Sequence, residues 1–118
     1  MKKILVVEDD ESLRETVQDW LGFEKFMVET AADGQEAVEQ LQVNDFDLIV
    51  LDWQLPHLNG IEVLRRYRGA GGTTPVLFLS GMSSAQERQA CLEAGATEFL
   101  PKPFQLQDLS KAIKKIIG

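Results

Sequence analysis

Four apolar runs in this chain are each followed at once by a side chain that can do chemistry. Glu8-Asp9-Asp10 follows Ile4–Val7, Asp52 follows Leu48–Leu51, Ser80-Gly81 follows Val76–Leu79, and Lys102-Pro103 comes just beyond Phe99–Leu100. Each piece has an ordinary reading on its own: a solvated acidic turn, a loop-capping aspartate, a surface lysine. Their repeated position after a run is what gives them weight. Three carboxylates gathered within about 5 Å repel one another by roughly 3 kcal/mol per pair at an effective dielectric of 20. Such a group calls for a counter-charge. An all-oxygen donor set suits Mg²⁺ or Mn²⁺, and zinc is disfavoured because the chain holds one histidine and one cysteine. A lysine opposite the ion and a hydroxyl nearby would complete a cradle for the oxygens of a phosphoryl group.

Elements of fixed geometry must bring these residues together. The runs Ile4–Val7, Phe26–Val28, Leu48–Leu51, Val76–Leu79 and Phe99–Leu100 have the length and composition of buried strands. Between them lie helical stripes: Leu13, Val17, Trp20 and Leu21; Ala37, Val38 and Leu41; Ile61, Leu64 and Tyr67 or Arg68. The last stripe is Leu106, Leu109, Ala112, Ile113, Ile116 and Ile117, with Lys111, Lys114 and Lys115 opposite. Gly22 and Gly95 stand where helix C-caps are expected, Asp33-Gly34 where the second helix can start, and Ser84 to Glu87 reads as a capping box for the fourth. Strand–helix alternation repeated in this way predicts an α/β fold: a five-stranded parallel sheet, doubly wound as (βα)5. Continuous apolar strands suit a sheet covered on both faces, and Pro101 suits an edge strand. In such a sheet ligands bind beyond the carboxyl ends of the strands, which is where the polar residues fall.

Composition narrows the classes further. The 118 residues, 44% hydrophobic and 26% charged, predict one globular domain over 1–118. No apolar stretch is long enough to span a membrane, and the short run after Met1-Lys2-Lys3 is no signal-peptide core. One cysteine, Cys91, fits a reducing, cytoplasmic setting. Twelve basic against nineteen acidic residues leave a net charge of −7, which disfavours direct binding of nucleic acid.

With those residues in place, the chain closely resembles the receiver domains of two-component response regulators. The matching stretches are Ile4 to Asp10, Leu51 to Gly60, Val76 to Gly81 and Gly95 to Phe104, so the resemblance covers essentially the whole chain. It implies the flavodoxin-like strand order 2-1-3-4-5, which the chemotaxis member of the family has. It implies that Asp52 is the phosphoacceptor. It also implies that Asp9, Asp52 and the main-chain carbonyl of Gln54 ligate Mg²⁺, with Glu8 acting through water. Lys102 would pair with phosphoryl oxygens across an expected cis Lys102–Pro103 bond, Ser80 would hydrogen-bond the phosphoryl group, and Gly81 would keep access to Asp52 open. Phe99 would be the switch aromatic, rotating inward as Ser80 moves. Gln54 and Met82 would flank the attacking water. The implied partners are a sensor histidine kinase or phosphotransfer protein and a downstream target or effector domain. A dimer through the fourth helix, fifth strand and fifth helix is also implied.

The chain departs from the family pattern in two places. Asn59 precedes Gly60 where an acid is commoner, and phenylalanine replaces the frequent tyrosine at 99. Other readings of the same residues are a metal-dependent phosphohydrolase and a receiver that binds partners without phosphorylation. The first is disfavoured because Gln54 stands where the dehalogenase-type pattern needs a second aspartate, the second by the intact Glu8, Asp9, Asp52, Ser80 and Lys102. His57 is expected as an exposed loop residue, Arg65, Arg66 and Arg68 as a solvated helix face, and Cys91 as a small helix-packing residue. Trp53, next to Asp52, is expected to sense the site.

Overall fold

The computed structural model describes residues 1–81 and 84–118. In chain order the elements are β1 (Lys3–Val7), α1 (Glu11–Phe23), β2 (Met27–Ala31), α2 (Gly34–Val43), β3 (Leu48–Asp52), α3 (Gly60–Gly69), β4 (Val76–Ser80), α4 (Ala85–Glu93), β5 (Glu98–Pro101) and α5 (Leu106–Ile117). All neighbouring strands pair in parallel, in the order β2-β1-β3-β4-β5. The fold expected from the sequence is therefore the one present.

Period-two alternation explains why the strands read as continuous apolar runs. Leu5, Val7, Ile49, Leu51, Val76 and Phe78 pack with residues of α2, α3 and α4 on one face. Ile4, Val6, Leu48, Val50, Leu77 and Leu79 pack with Val17 and Leu21 of α1 and Leu109 and Ile113 of α5 on the other. β2 is the exception: Met27 to Thr30 alternate between exposed and half-buried, as suits an edge, and Ala31 at its end is buried. This is why the apolar run Phe26–Val28 marks only the start of the second strand, which spans Met27–Ala31 and continues through the polar Glu29 and Thr30. Pro101 closes the opposite edge strand.

Helix starts follow the cap residues. Asp10, Asp33, Asn59 and Ser84 each accept a hydrogen bond from the backbone N–H three residues on. At Ser84 the hydroxyl also donates to Glu87 Oε1 at 2.7 Å. Of the two expected C-caps, Gly95 holds: it sits just past α4 at φ 110°, and Ala96 N–H reaches back to Cys91 O at 3.0 Å. Gly22 does not. It lies inside α1, and the left-handed position falls on Lys25 at φ 75°, where Lys25 N–H bonds Gly22 O and Phe26 N–H bonds Leu21 O, both at 3.1 Å. The helix runs on because Leu21, fully buried, must stay on the core stripe, and the turn into β2 closes three residues after Gly22. Among the described residues no helix is long and apolar enough to cross a membrane.

Candidate functional site

β1 and β3 lie side by side at the centre of the sheet, so the residues that end them converge. Carboxylate oxygens of Glu8, Asp9 and Asp52 lie within 4.8 Å of one another. Glu8 and Asp52 are buried, at 1% and 3% exposure, while Asp9 faces solvent. Asp10, the third acid of the triplet, turns to cap α1 by accepting from Leu13 N–H at 3.1 Å. The triplet thus supplies two carboxylates to the site and one to the helix that follows.

Lys102 reaches this cluster from the end of β5. Its peptide bond to Pro103 is cis, and its backbone N–H donates to Ser80 O at 2.7 Å, joining the ends of β4 and β5. Its ammonium donates to Glu8 Oε1 at 2.7 Å and lies 3.2 Å from Asp52 Oδ2. The other Glu8 oxygen accepts from Asp10 N–H at 3.2 Å. Burial lifts the Glu8 carboxyl to about 7, and the neighbouring Asp52 charge pushes the same way; the Lys102 hydrogen bond only partly opposes this. Burial alone would lower Lys102, but its hydrogen bond to Glu8 and the Asp52 charge more than offset it, so the ammonium is held above its usual range.

Around this centre an open cleft is lined by Asp9, Trp53, Gln54, Leu55, Pro56 and Asn59. Trp53 packs edge-on against Phe78, with ring centroids 5.6 Å apart. Gly60 begins α3 against the strand end: a Cβ there would come within 2.2 Å of Asp52 O, so only glycine lets the helix approach so closely. Ser80 is buried at the end of β4, and Gly81 beyond it is exposed, with open space where a Cβ would project. Met82 lies outside the described residues. Phe99 pairs with Phe78 in the sheet register and is 6% exposed, its ring inward on the α3–α4 face. The Phe99 ring is thus part of the core in this structure. The donor set is all oxygen, with one lysine set against three acids, and it fits a hard divalent cation such as Mg²⁺.

A family model of the response regulator receiver domain matches residues 4–114. The chain belongs to the response regulator receiver domain family. Response regulator MprA of Mycobacterium tuberculosis (strain ATCC 25177 / H37Ra) is 42% identical over 115 residues, which cover 98% of this chain and 50% of that protein. The chain therefore spans about half the length of the curated relatives it matches. Among solved structures, the receiver domain of Francisella response regulator 1452 superposes with a TM-score of 0.96 at 30% identity, covering 99% of this chain and 97% of that one. The receiver domain of sensor histidine kinase PA1611 from Pseudomonas aeruginosa PAO1 superposes at 0.90 and 30% identity, covering 99% and 98%. That structure has a magnesium ion coordinated in its active-site cleft. Receiver domains are signalling domains whose general function is a phosphorylation-controlled switch.

Two features of this receiver domain escaped the sequence reading. Arg68, expected on a solvated face, is a half-buried clamp: its guanidinium donates to Gly95 O at 3.1 and 2.9 Å, to Thr74 O at 2.7 Å and to Gly72 O at 3.2 Å. Its place on the core stripe of α3, alternative to Tyr67, was the available signal. Ser110 sits on the buried face of α5, accepting from Trp20 Nε1 at 2.7 Å and donating to Glu24 Oε1 at 2.5 Å. A small polar residue beside Leu109 gives no sign of such a partner. Arg65 and Arg66 are exposed, as expected, and so is His57.

Proposed function

We propose that this domain, over residues 1–118, accepts a phosphoryl group on Asp52 from a sensor histidine kinase or phosphotransfer protein and passes the change to a downstream target or effector domain. The observation that carries this is the setting of Asp52: a carboxylate 3% exposed at the end of the central strand β3, close to two further acids and one ammonium. A buried carboxylate beside an open cleft and a fixed cation suits nucleophilic attack on phosphorus. An Asp52 oxygen forms the new O–P bond as the N–P bond to the donor imidazole breaks, and the imidazole leaves with the electron pair and takes up a proton. Lys102 neutralises charge on the incoming group, and the Ser80 hydroxyl donates a charge-assisted hydrogen bond to it.

Asp9, Asp52 and the main-chain carbonyl of Gln54 would hold Mg²⁺, with Mn²⁺ as a substitute and Glu8 acting through an intervening water. The ion would supply neutralisation of the oxygens on the transferring group. Both Glu8 oxygens already have protein donors, which favours the indirect role. The magnesium ion in the cleft of the PA1611 receiver domain supports the same assignment by likeness. Gln54 and Met82 would flank the water that later hydrolyses the acyl phosphate, and Gly81 would leave its path open. The domain would promote only its own phosphorylation and dephosphorylation. Output would pass through the surface of α4, β5 and α5, which would also serve any dimer, in a cytoplasmic setting. Incubation with a small phosphodonor and Mg²⁺, followed by peptide mass spectrometry, tests the reading. One phosphoryl group should appear on the peptide holding Asp52, and neither chelator-treated protein nor Asp52→Asn should acquire it. Labelling of Asp52→Asn at the wild-type level would overturn the assignment.

A further inference from the structure

Helix α4 is the least anchored helix of the fold. Cys91 is its one fully buried residue, whereas α3 buries Gly60, Ile61, Val63 and Leu64. Its largest packing partner is the edge strand β5. One exposed side chain nevertheless crosses from this helix to the strand. The Arg88 guanidinium carbon lies 5.4 Å from the centroid of the Phe99 ring, within reach of an attractive cation–π contact. Among the described residues Arg88 has no ion pair and no side-chain hydrogen bond, so the ring is its described partner. A guanidinium with acids available in a chain of net charge −7, yet resting on a phenyl face, acts as a lid.

From this contact we infer that Arg88 is a positioning residue that latches Phe99 in its inward position and couples α4 to the end of β5. The inference deepens the proposed signalling reading and rests on it for its consequence, because Phe99 shares a sheet face with Ser80. Phe78 pairs with Phe99 in the register, and Ser80 follows Phe78 by two residues, which returns it to the same face. A change at Ser80 therefore meets the ring from one side while Arg88 covers it from the other. Phenylalanine suits such a lid, since its burial leaves no hydroxyl in need of a partner. The cation supplies the hold, and a neutral side chain of the same length would supply only contact. An exposed contact of this kind shifts a two-state equilibrium by about two- to five-fold.

The test places 4-fluorophenylalanine at position 99 and reads ring exposure from the H₂O/D₂O solvent-isotope shift of its ¹⁹F resonance. Wild type, Arg88→Met, Arg88→Gln and Arg88→Lys are compared without metal, then with Mg²⁺ and beryllium fluoride. Arg88→Met and Arg88→Gln should raise the outward population about two- to five-fold, and Arg88→Lys should recover most of the inward state. Equal exposure in all four proteins would overturn the latch. Failure of Arg88→Lys to recover would also overturn it, by assigning the effect to shape rather than charge. The metal-free arm is independent of phosphorylation. If beryllium fluoride left both Trp53 emission and the ¹⁹F signal of wild type unchanged, the signalling reading would fail while the latch was still measured.

Discussion

Replacing Asp9 by asparagine should make the protein more stable without metal and indifferent to Mg²⁺. Asp9 lies within 4.8 Å of carboxylate oxygens on Glu8 and Asp52, and no ion pair offsets it among the described residues. Two like charges at that distance repel by about 3.5 kcal/mol at an effective dielectric of 20 and by about 0.9 kcal/mol in bulk water. Because Asp9 is exposed, the lower figure governs. Two such pairs, reduced by salt, by the partial protonation of Glu8 and by the more distant Lys102 charge, leave about 0.5–1.5 kcal/mol of strain that the substitution removes. For 118 residues the unfolding entropy is about 250 cal/mol/K, so the gain corresponds to about 2–6 °C in Tm. Thermal unfolding followed by circular dichroism in chelator and in excess Mg²⁺ reads both effects. Wild type should gain about 1.4 kcal/mol when Mg²⁺ stands tenfold above its dissociation constant, and Asp9→Asn should gain little. A variant less stable than wild type in chelator, or one that keeps the full Mg²⁺ increment, would refute both the repulsion and the ligand assignment.

Trp53 sits on the rim of the same cleft, so Mg²⁺ titration should change its emission in a saturable way that disappears in Asp9→Ala; Trp20→Phe is the cleaner host for the measurement. Burial raises the Cys91 thiol from its usual 9.0 to about 11, so a thiol reagent at pH 8 should modify native protein only as fast as α4 opens. The same shift binds the proton more tightly in the folded state. Its stabilisation is therefore complete below pH 9 and lost between pH 9 and 11, by at most about 1.4 kcal/mol per pH unit, a slope that Cys91→Ala should lack in urea titrations. Arg68→Met should cost about 2–3 kcal/mol by thermal melt, because the carbonyls of Gly95, Thr74 and Gly72 lose a charged donor. Arg66→Ala on the solvated side of the same helix should change stability by less than about 0.5 kcal/mol.

The strands of the centre were legible because burial on both faces leaves a continuous apolar run, as in Leu48–Leu51. β2 was blurred for the opposite reason: an edge strand exposed on one side reads as polar residues, and Glu29 and Thr30 carry no strand signal alone. The meeting of Glu8, Asp9 and Asp52 was legible through topology, since adjacent parallel strands deliver their ends to one place. What stayed hidden was the pairing of individual donors and acceptors. Nothing in the order of residues says that Asp10 caps a helix while Asp9 stays in the site, because the two differ by one position and a turn. Arg68 and Ser110 were hidden because their partners are carbonyls and side chains far along the chain, and period alone places them only on a face.

On the proposed function, Lys102 is what would let so crowded a site take on further charge. An ammonium has three donors. One is spent on Glu8 Oε1 at 2.7 Å and a second faces Asp52 Oδ2 at 3.2 Å, which leaves the third for a new oxygen at Asp52. Accepting a phosphoryl group would then not require Lys102 to abandon Glu8, and no buried carboxylate would be left bare. The same residue is fixed through its backbone to Ser80 O at 2.7 Å. On the proposed function, a pull on the ammonium would reach the end of β4 through this bond, next to the Ser80 side chain. Lys102 and Ser80 belong to one rigid corner of the sheet, and Phe99 packs on the face that this corner closes. Charge arriving at Asp52 in the proposed reaction would reach β5 through these two short hydrogen bonds and the pairing of β4 with β5.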